Sequence, residues 1–245
     1  MIPRLAAGLA PALLAAACTV PAPADPPRPL PPPPAAPSAL FGEFTLEGAL
    51  EQGGWIRGKA PLGAARVTLG DTPVPLAADG SFFAGLDRDA PARLRLVATS
   101  AGGRSVSRDL AIDRRDWRIE RVDVPLRGSV PSETFMAIRR PELAAIEAAR
   151  ALRSDTSGWR QRFVWPVTGR ISGRFGSQRI YQGVPGAYHS GLDIATGGSG
   201  APYVAPADGV VVLAAQKPFS LEGNLVIIDH GMGLNSAFLH SSRLA

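Results

Sequence analysis

The stretch Asn224-Leu225-Val226-Ile227-Ile228-Asp229-His230-Gly231 decides the fold class of the C-terminal part of the chain. Its four consecutive apolar residues are mostly β-branched and lead to a glycine, which is typical of a β-strand that ends in a turn. Similar Val- and Ile-rich runs separated by glycine lie at residues 203–206, 209–213 and 235–240. The sequence therefore predicts an all-β domain over residues 163–245.

Upstream, residues 41–127 are predicted to form a second all-β unit, a small β-sandwich. Alternating apolar and polar runs are separated by turn signals such as Asp79-Gly80 and Gly102-Gly103. Strands are expected at residues 43–50, 65–69, 81–86, 93–99, 104–112 and 118–124. The segment from Gly58 to Phe82 resembles bacterial immunoglobulin-like modules. The unit contains no histidine or cysteine, so we expect it to act as a spacer or to position a substrate.

A helical linker is predicted between the two units, over residues 128–162. Pro141 and Glu142 are typical of a first helical turn. An apolar stripe at helical spacing follows and is expected to pack on the next domain: Leu143, Ile146, Ala149 and Leu152.

The N-terminus is predicted to be an export signal. Arg4 precedes a short apolar stretch, and the residues before Cys18 resemble the lipobox of bacterial lipoproteins. We therefore expect a signal peptide at 1–17, a lipid anchor at Cys18 and a Pro/Ala-rich tether at 18–40, which places the protein in the cell envelope or periplasm. The alternative is an ordinary secretory leader in which Cys18 is incidental.

The chain is basic, with 26 Lys and Arg against 21 Asp and Glu. No Lys/Arg run is interleaved with aromatic residues, so we expect no nucleic-acid partner. The positive charge suits an anionic polymer such as peptidoglycan, and a coding bias toward arginine explains it equally well.

The three histidines, His189, His230 and His240, all lie in the last quarter of the chain. His189 opens the segment His189-Ser190-Gly191-Leu192-Asp193. If this segment were a strand, the histidine, the glycine and the aspartate would face the same side. An imidazole and a carboxylate on either side of a residue without a side chain leave room for a zinc ion. The alternative is a structural histidine–carboxylate pair.

Five sequence blocks, in order, resemble the lysostaphin/LytM-type family of zinc metalloendopeptidases, which act on peptidoglycan. The blocks are Gly173-Arg174-Phe175-Gly176, His189-Ser190-Gly191-Leu192-Asp193, Ala205-Pro206-Ala207-Asp208-Gly209-Val210-Val211, Gly223-Asn224-Leu225-Val226-Ile227-Ile228-Asp229-His230-Gly231 and Phe238-Leu239-His240-Ser241-Ser242.

The resemblance implies an antiparallel β-sheet domain that cleaves peptide bonds of peptidoglycan with a zinc-activated water. It implies that His189 and Asp193 are zinc ligands and that His240 is a catalytic histidine, for which capping a strand end is the alternative. His230 is expected not to be a ligand, and Asp208 and Asp229 are expected to be turn residues.

The family's third zinc ligand belongs to a His-x-His motif, which the sequence does not contain. We therefore expect the peptidase domain to be truncated and the chain as printed to be weakly active or inactive. The alternative function is a non-catalytic LytM-like module that binds divisome partners and regulates cell-wall amidases.

Overall fold

The computed structural model describes residues 39–126 and 132–244. Over these residues the chain is built mainly of strands in antiparallel sheets with a single α-helix, so the predicted all-β fold class is confirmed. Before the helix lie β1 (Thr45–Ala49), β2 (Trp55–Lys59), β3 (Ala64–Leu69), β4 (Thr72–Val74), β5 (Ser81–Gly85), β6 (Arg93–Ser100), β7 (Ser105–Ala111) and β8 (Ile119–Val122). Helix α1 spans Glu133–Ala151. After it lie β9 (Arg170–Gly173), β10 (Gln178–Tyr181), β11 (Val184–Tyr188), β12 (Asp193–Ala195), β13 (Val210–Ala214), β14 (Asn224–Asp229) and β15 (Asn235–Ser241).

Two antiparallel sheets form the N-terminal sandwich. Their strand orders are β1-β2-β5 and β4-β3-β6-β7. Inward-facing side chains of both sheets share one buried core, in which Ile56, Phe82 and Leu96 are at most 1% exposed. Alternation of buried and exposed residues along β6 places every second side chain in this core, as the sequence pattern requires.

Two sandwich strands were not predicted from the sequence. Strand β2 contains Gly58, and β4 is three residues long and contains Pro73, so neither carries a strong strand signal. Gly58 is nevertheless required, because a Cβ there would lie 2.1 Å from the carbonyl oxygen of Thr45 on β1. Strand β8 was predicted, but it pairs in parallel with β10 and so extends a sheet of the C-terminal part.

Helix α1 begins earlier than predicted. The side chain of Ser132 caps it by accepting a hydrogen bond from the backbone N–H of Phe135 at 3.1 Å, and Pro141 lies inside the helix. The prediction that Pro141 opens the helix was wrong because the capping serine nine residues upstream supplies a stronger start. Ile146 and Ala149 pack on Leu225 and Ile227 of β14, as the stripe predicted. The other two stripe residues are exposed, Leu143 by 45% and Leu152 by 52%.

Three small sheets lie in the described residues of the C-terminal part. Their orders are β11-β10-β8, β12-β9 and β13-β14-β15. Residues 203–206, predicted as a strand, have no regular structure. Instead the ring of Tyr203 stacks on Phe238 of β15, with ring centres 4.8 Å apart.

The predicted signal peptide, Cys18 and nearly all of the tether lie outside the described residues. In the described part of the chain, no helix is both long enough and apolar enough to cross a lipid bilayer.

Candidate functional site

His189 and Asp193 lie side by side at the start of β12. The Nε2 atom of His189 is 3.3 Å from Oδ1 of Asp193, and the two side chains are 35% and 62% exposed. The intervening residues are not a strand, so the prediction that a common strand face aligns them was wrong. The chain bends at Gly191 between β11 and β12, which belong to different sheets, and this bend brings the two side chains together.

The contact of His189 Nδ1 with a backbone carbonyl indicates which nitrogen of the neutral ring carries the proton. Nδ1 lies 3.2 Å from the carbonyl oxygen of Arg174, which can only accept a hydrogen bond. The proton of the neutral ring therefore resides on Nδ1, and the lone pair of Nε2 faces the carboxylate of Asp193. Two acceptors in this arrangement repel each other unless a cation or a proton lies between them.

The pair suits zinc in its chemistry and spacing. Nitrogen and oxygen donors about 2.1 Å from a tetrahedral zinc lie about 3.4 Å from each other, close to the 3.3 Å between Nε2 and Oδ1. A backbone carbonyl on the other nitrogen is the usual outer partner of a metal-binding histidine. In the described part of the chain, no group of three or more His, Cys, Asp or Glu side chains could hold a metal. The protein side chains that fit a zinc ion here are therefore two, His189 and Asp193.

Gly173 makes room for Asp193. The two residues are partners in the β9–β12 ladder. A Cβ at Gly173 would lie 2.1 Å from Oδ2 of Asp193 and 3.1 Å from Cε1 of His189. A Cβ at Gly191, by contrast, would meet only Nε2 of His189, at 3.9 Å. Gly173 is therefore the more constrained of the two glycines, although the sequence pattern drew attention to Gly191.

His240 lies on another sheet, near the end of β15. Its φ is +59°, and it lies where the register of β14 and β15 shifts, so the strand has a bulge there. Its backbone N–H donates to the carbonyl oxygen of Glu222 at 2.8 Å, and its side chain is exposed. A bulge redirects a side chain out of the regular ladder. His240 is not part of any metal-holding group with the pair among the described residues.

Glu222 is anchored by helix α1. Nη1 and Nη2 of Arg139 each donate to one oxygen of the Glu222 carboxylate, both at 2.6 Å, and Arg139 is only 8% exposed. These hydrogen bonds lower the pKa of Glu222 below its ordinary value. Arg139 also donates to Glu142 at 3.0 Å, and Glu142 accepts from the backbone N–H of Ser220 at 2.7 Å. The helix thus fixes the loop that holds the backbone of His240, a link that the sequence did not predict.

His230 has a structural role, as expected. The residue is fully buried, with Nδ1 2.7 Å from the carbonyl oxygen of Asp208 and Nε2 2.8 Å from Oγ of Ser236. Its ring packs edge-on against Phe163 at 4.8 Å. Both nitrogens are engaged by the protein, so neither is available to a ligand.

Asp229 is a buried strand residue and not the turn residue that was expected. Its carboxylate accepts hydrogen bonds from the backbone N–H and the hydroxyl of Ser154, both at 2.7 Å, and from the N–H of Gly231 at 3.0 Å. Burial alone would raise its pKa, but these hydrogen bonds outweigh burial and hold the pKa below its ordinary value. Asp229 joins β14 to the segment that follows the helix.

Comparison with known proteins matches one segment of the chain to a family model. Residues 187–245 match the model of peptidase family M23, the family of the lysostaphin- and LytM-type enzymes. The matched segment contains His189, Asp193 and His240, and the resemblance seen in the sequence is confirmed. The chain matches no curated protein.

Proposed function

We propose that the chain is an exported zinc endopeptidase that cleaves peptide bonds in bacterial peptidoglycan, because residues 187–245 match the model of peptidase family M23, a family of metallopeptidases. One observation carries the proposal most strongly. The lone pair of His189 Nε2 faces an Asp193 oxygen 3.3 Å away, while Nδ1 is occupied by a carbonyl. A proton or a cation between the two side chains relieves their repulsion, and a zinc ion fits the 3.3 Å spacing.

His189 and Asp193 would hold the metal from two sides. The carbonyl of Arg174 keeps the imidazole in the tautomer that presents Nε2. Asp193 supplies a negative charge that offsets part of the metal's charge. When bound, zinc supplies Lewis-acid polarisation of the scissile carbonyl and lowers the pKa of a water molecule toward 7.

His240 is the proposed proton-handling residue. Its imidazole is exposed, and its ring nitrogens are groups that can accept or donate a hydrogen bond. The hydrogen bond from its N–H to Glu222 and the bulge fix where the side chain leaves the strand. A histidine so placed would orient the attacking water or stabilise the oxyanion.

Export and lipid anchoring belong to the same proposal. The apolar leader, the small residues before Cys18 and the proline-rich tether support a location in the cell envelope, where peptidoglycan is found. Labelling of the protein with a fatty-acid analogue, lost in Cys18→Ser, would test the anchor.

The proposed activity can be tested on purified peptidoglycan with protein expressed from its natural gene. Cleavage of peptide cross-links or stems releases new amino and carboxyl termini, whereas a glycosidase releases reducing ends. We expect new termini that disappear with a chelator and in His189→Ala. Arg95→Ala serves as the control, because the exposed side chain of Arg95 pairs with Asp109 on the β-sandwich, outside the site. Activity that survives chelation would rule out a metallopeptidase.

A second candidate function is a non-catalytic module that regulates cell-wall amidases. The observation that favours it is the two-donor set, since the described residues bring no third metal-binding side chain to the pair. This function predicts that His189→Ala retains full stimulation of a purified amidase on peptidoglycan. The peptidase proposal predicts cleavage without any amidase.

A further inference from the structure

A buried arginine of the β-sandwich contacts the segment beside His189. Arg88 follows β5 and is 7% exposed. Its Nε and Nη2 both donate to the carbonyl oxygen of Gly176, at 3.1 and 3.0 Å. Nη2 also lies 3.1 Å from Oε1 of Gln178. A single sandwich side chain therefore binds two residues of the C-terminal part, 88 and 90 positions away in sequence.

One of these residues, Gly176, and its neighbour Ser177 form hydrogen bonds with the backbone of His189. The N–H of Gly176 donates to the carbonyl oxygen of His189 at 2.8 Å, and the N–H of His189 donates to the carbonyl oxygen of Ser177 at 2.8 Å. The backbone position of His189 is thus set by the Gly176–Ser177 segment. These hydrogen bonds link the position of Gly176 to that of the His189 backbone.

Arg88 also supports the strand that leads into His189. Its Cζ lies 5.0 Å from the ring centre of Tyr188, the last residue of β11. Gln178, which accepts from Arg88, donates through Nε2 to the carbonyl oxygen of Gly186 on β11 at 2.7 Å. The guanidinium of Arg88 therefore contacts both β10 and β11, the strand that leads into His189.

The contact between the two parts of the protein is tightly packed. The ring of Trp117, which follows β7, packs directly against Gly176. A Cβ at Gly176 would lie 2.1 Å from this ring. The φ of Gly176 is +81°, which also favours glycine. The ring of Phe175 meets Trp117 edge-on at 5.7 Å, and Arg88 lies 5.3 Å from the centre of the Trp117 ring.

We propose that Arg88 is a positioning residue for His189, so that the β-sandwich is part of the metal site and not only a spacer. The expected effect on zinc affinity rests on the proposed function. The expected effect on the orientation of the His189 imidazole follows from the contacts of Arg88 alone. Removal of Arg88 leaves the Gly176 carbonyl without its buried donor and releases Tyr188.

The test measures zinc affinity and the ring signals of the three histidines. Zinc affinity is measured by competition with a chromophoric chelator, and the ring signals by carbon–proton NMR of the metal-free protein. Arg88→Ala is expected to weaken zinc binding about tenfold or more, as loss of an outer partner of a metal ligand does. It should also shift the His189 signal and leave that of buried His230 in place. Arg88→Lys should fall between Arg88→Ala and the unchanged protein, because an ammonium cannot form the forked contact.

Two control variants separate an effect of Arg88 on the position of His189 from a general loss of protein stability. Arg95→Ala removes an exposed arginine of the same sandwich that pairs with Asp109, and should change neither readout. Leu96→Ala opens a cavity in the sandwich core, so it should lower the melting temperature while zinc affinity stays unchanged. If Arg88→Ala does not fold, Arg88→Lys decides the test.

Unchanged zinc affinity and an unchanged His189 signal in a folded Arg88 variant would overturn the inference. Absence of zinc binding in the unchanged protein would overturn the proposed function instead. In that case the His189 signal of the metal-free variants still decides whether Arg88 positions the ring.

Discussion

Glu222 accepts a hydrogen bond from the backbone of His240 at 2.8 Å while its carboxylate is held by both terminal nitrogens of Arg139. The helix, the loop and the exposed histidine are therefore one connected unit. Because the ion pair is buried, its integrity matters to the stability of the whole C-terminal part.

Replacement of Arg139 should be strongly destabilising. Arg139→Met leaves the Glu222 carboxylate buried without its partner, and we expect a loss of about 3 kcal/mol in the free energy of unfolding. Urea denaturation measures it. Arg140→Ala is the matched control, since its side chain is 61% exposed and pairs with an exposed Glu133, and it should cost less than about 0.5 kcal/mol. Equal losses in the two variants would contradict the buried ion pair.

The same pair predicts a pH dependence. Hydrogen bonds from Arg139 lower the pKa of Glu222, so the folded protein holds the proton less tightly than the unfolded chain does. Its contribution to stability is complete above the unfolded pKa of about 4.3 and is lost as the pH falls through the lower native pKa. Urea titrations between about pH 6 and 2 should therefore show a shallower loss of stability in Glu222→Gln than in the unchanged protein. Parallel curves would show that Glu222 is not the group that titrates.

Loss of His230 should affect folding and not metal binding. His230→Ala removes a fully buried ring together with hydrogen bonds to Asp208 and Ser236, and should cost about 3 kcal/mol. Zinc affinity should remain unchanged in protein that is still folded. His240→Asn should cost less than about 1 kcal/mol, because the side chain is exposed and asparagine tolerates a positive φ. A fall in zinc affinity in His230→Ala would assign His230 to the site.

The two glycines around the pair should respond differently to alanine. Gly173→Ala puts a methyl group 2.1 Å from Asp193 Oδ2, so the carboxylate must move and zinc affinity should fall at least about tenfold. Gly191→Ala adds a methyl group with only His189 Nε2 within 4 Å and should change affinity less than about threefold. Calorimetric zinc titration compares them. The opposite order would place the metal on the Gly191 side.

The sequence predicted most of the strands and drew attention to His189 and Asp193, but the physical reason for their proximity was wrong. Period-two spacing suggested a shared strand face, whereas a bend at Gly191 brings the side chains together. The local sequence pattern identifies residues whose chemistry suits a metal. The structure adds that Gly173, the strand partner of Asp193, leaves the space that the Asp193 carboxylate occupies.

Contacts between distant segments could not be predicted from local pattern. Arg88 on Gly176 and Arg139 on Glu222 join residues more than 80 positions apart, and each arginine looks like an ordinary surface residue in the sequence. The predicted start of α1 was also wrong, because Ser132 caps the helix nine residues before Pro141, which is itself typical of a first helical turn.

The most direct test of the account is the zinc content of the protein after dialysis against dilute zinc, measured by mass spectrometry of the metal. We predict one zinc per chain in the unchanged protein, and none in folded His189→Ala or Asp193→Ala. The Arg95→Ala control, at an exposed residue of the β-sandwich, should still hold one zinc. A full equivalent of zinc in both His189→Ala and Asp193→Ala, or none in the unchanged protein, would contradict the assignment of the pair as the metal site.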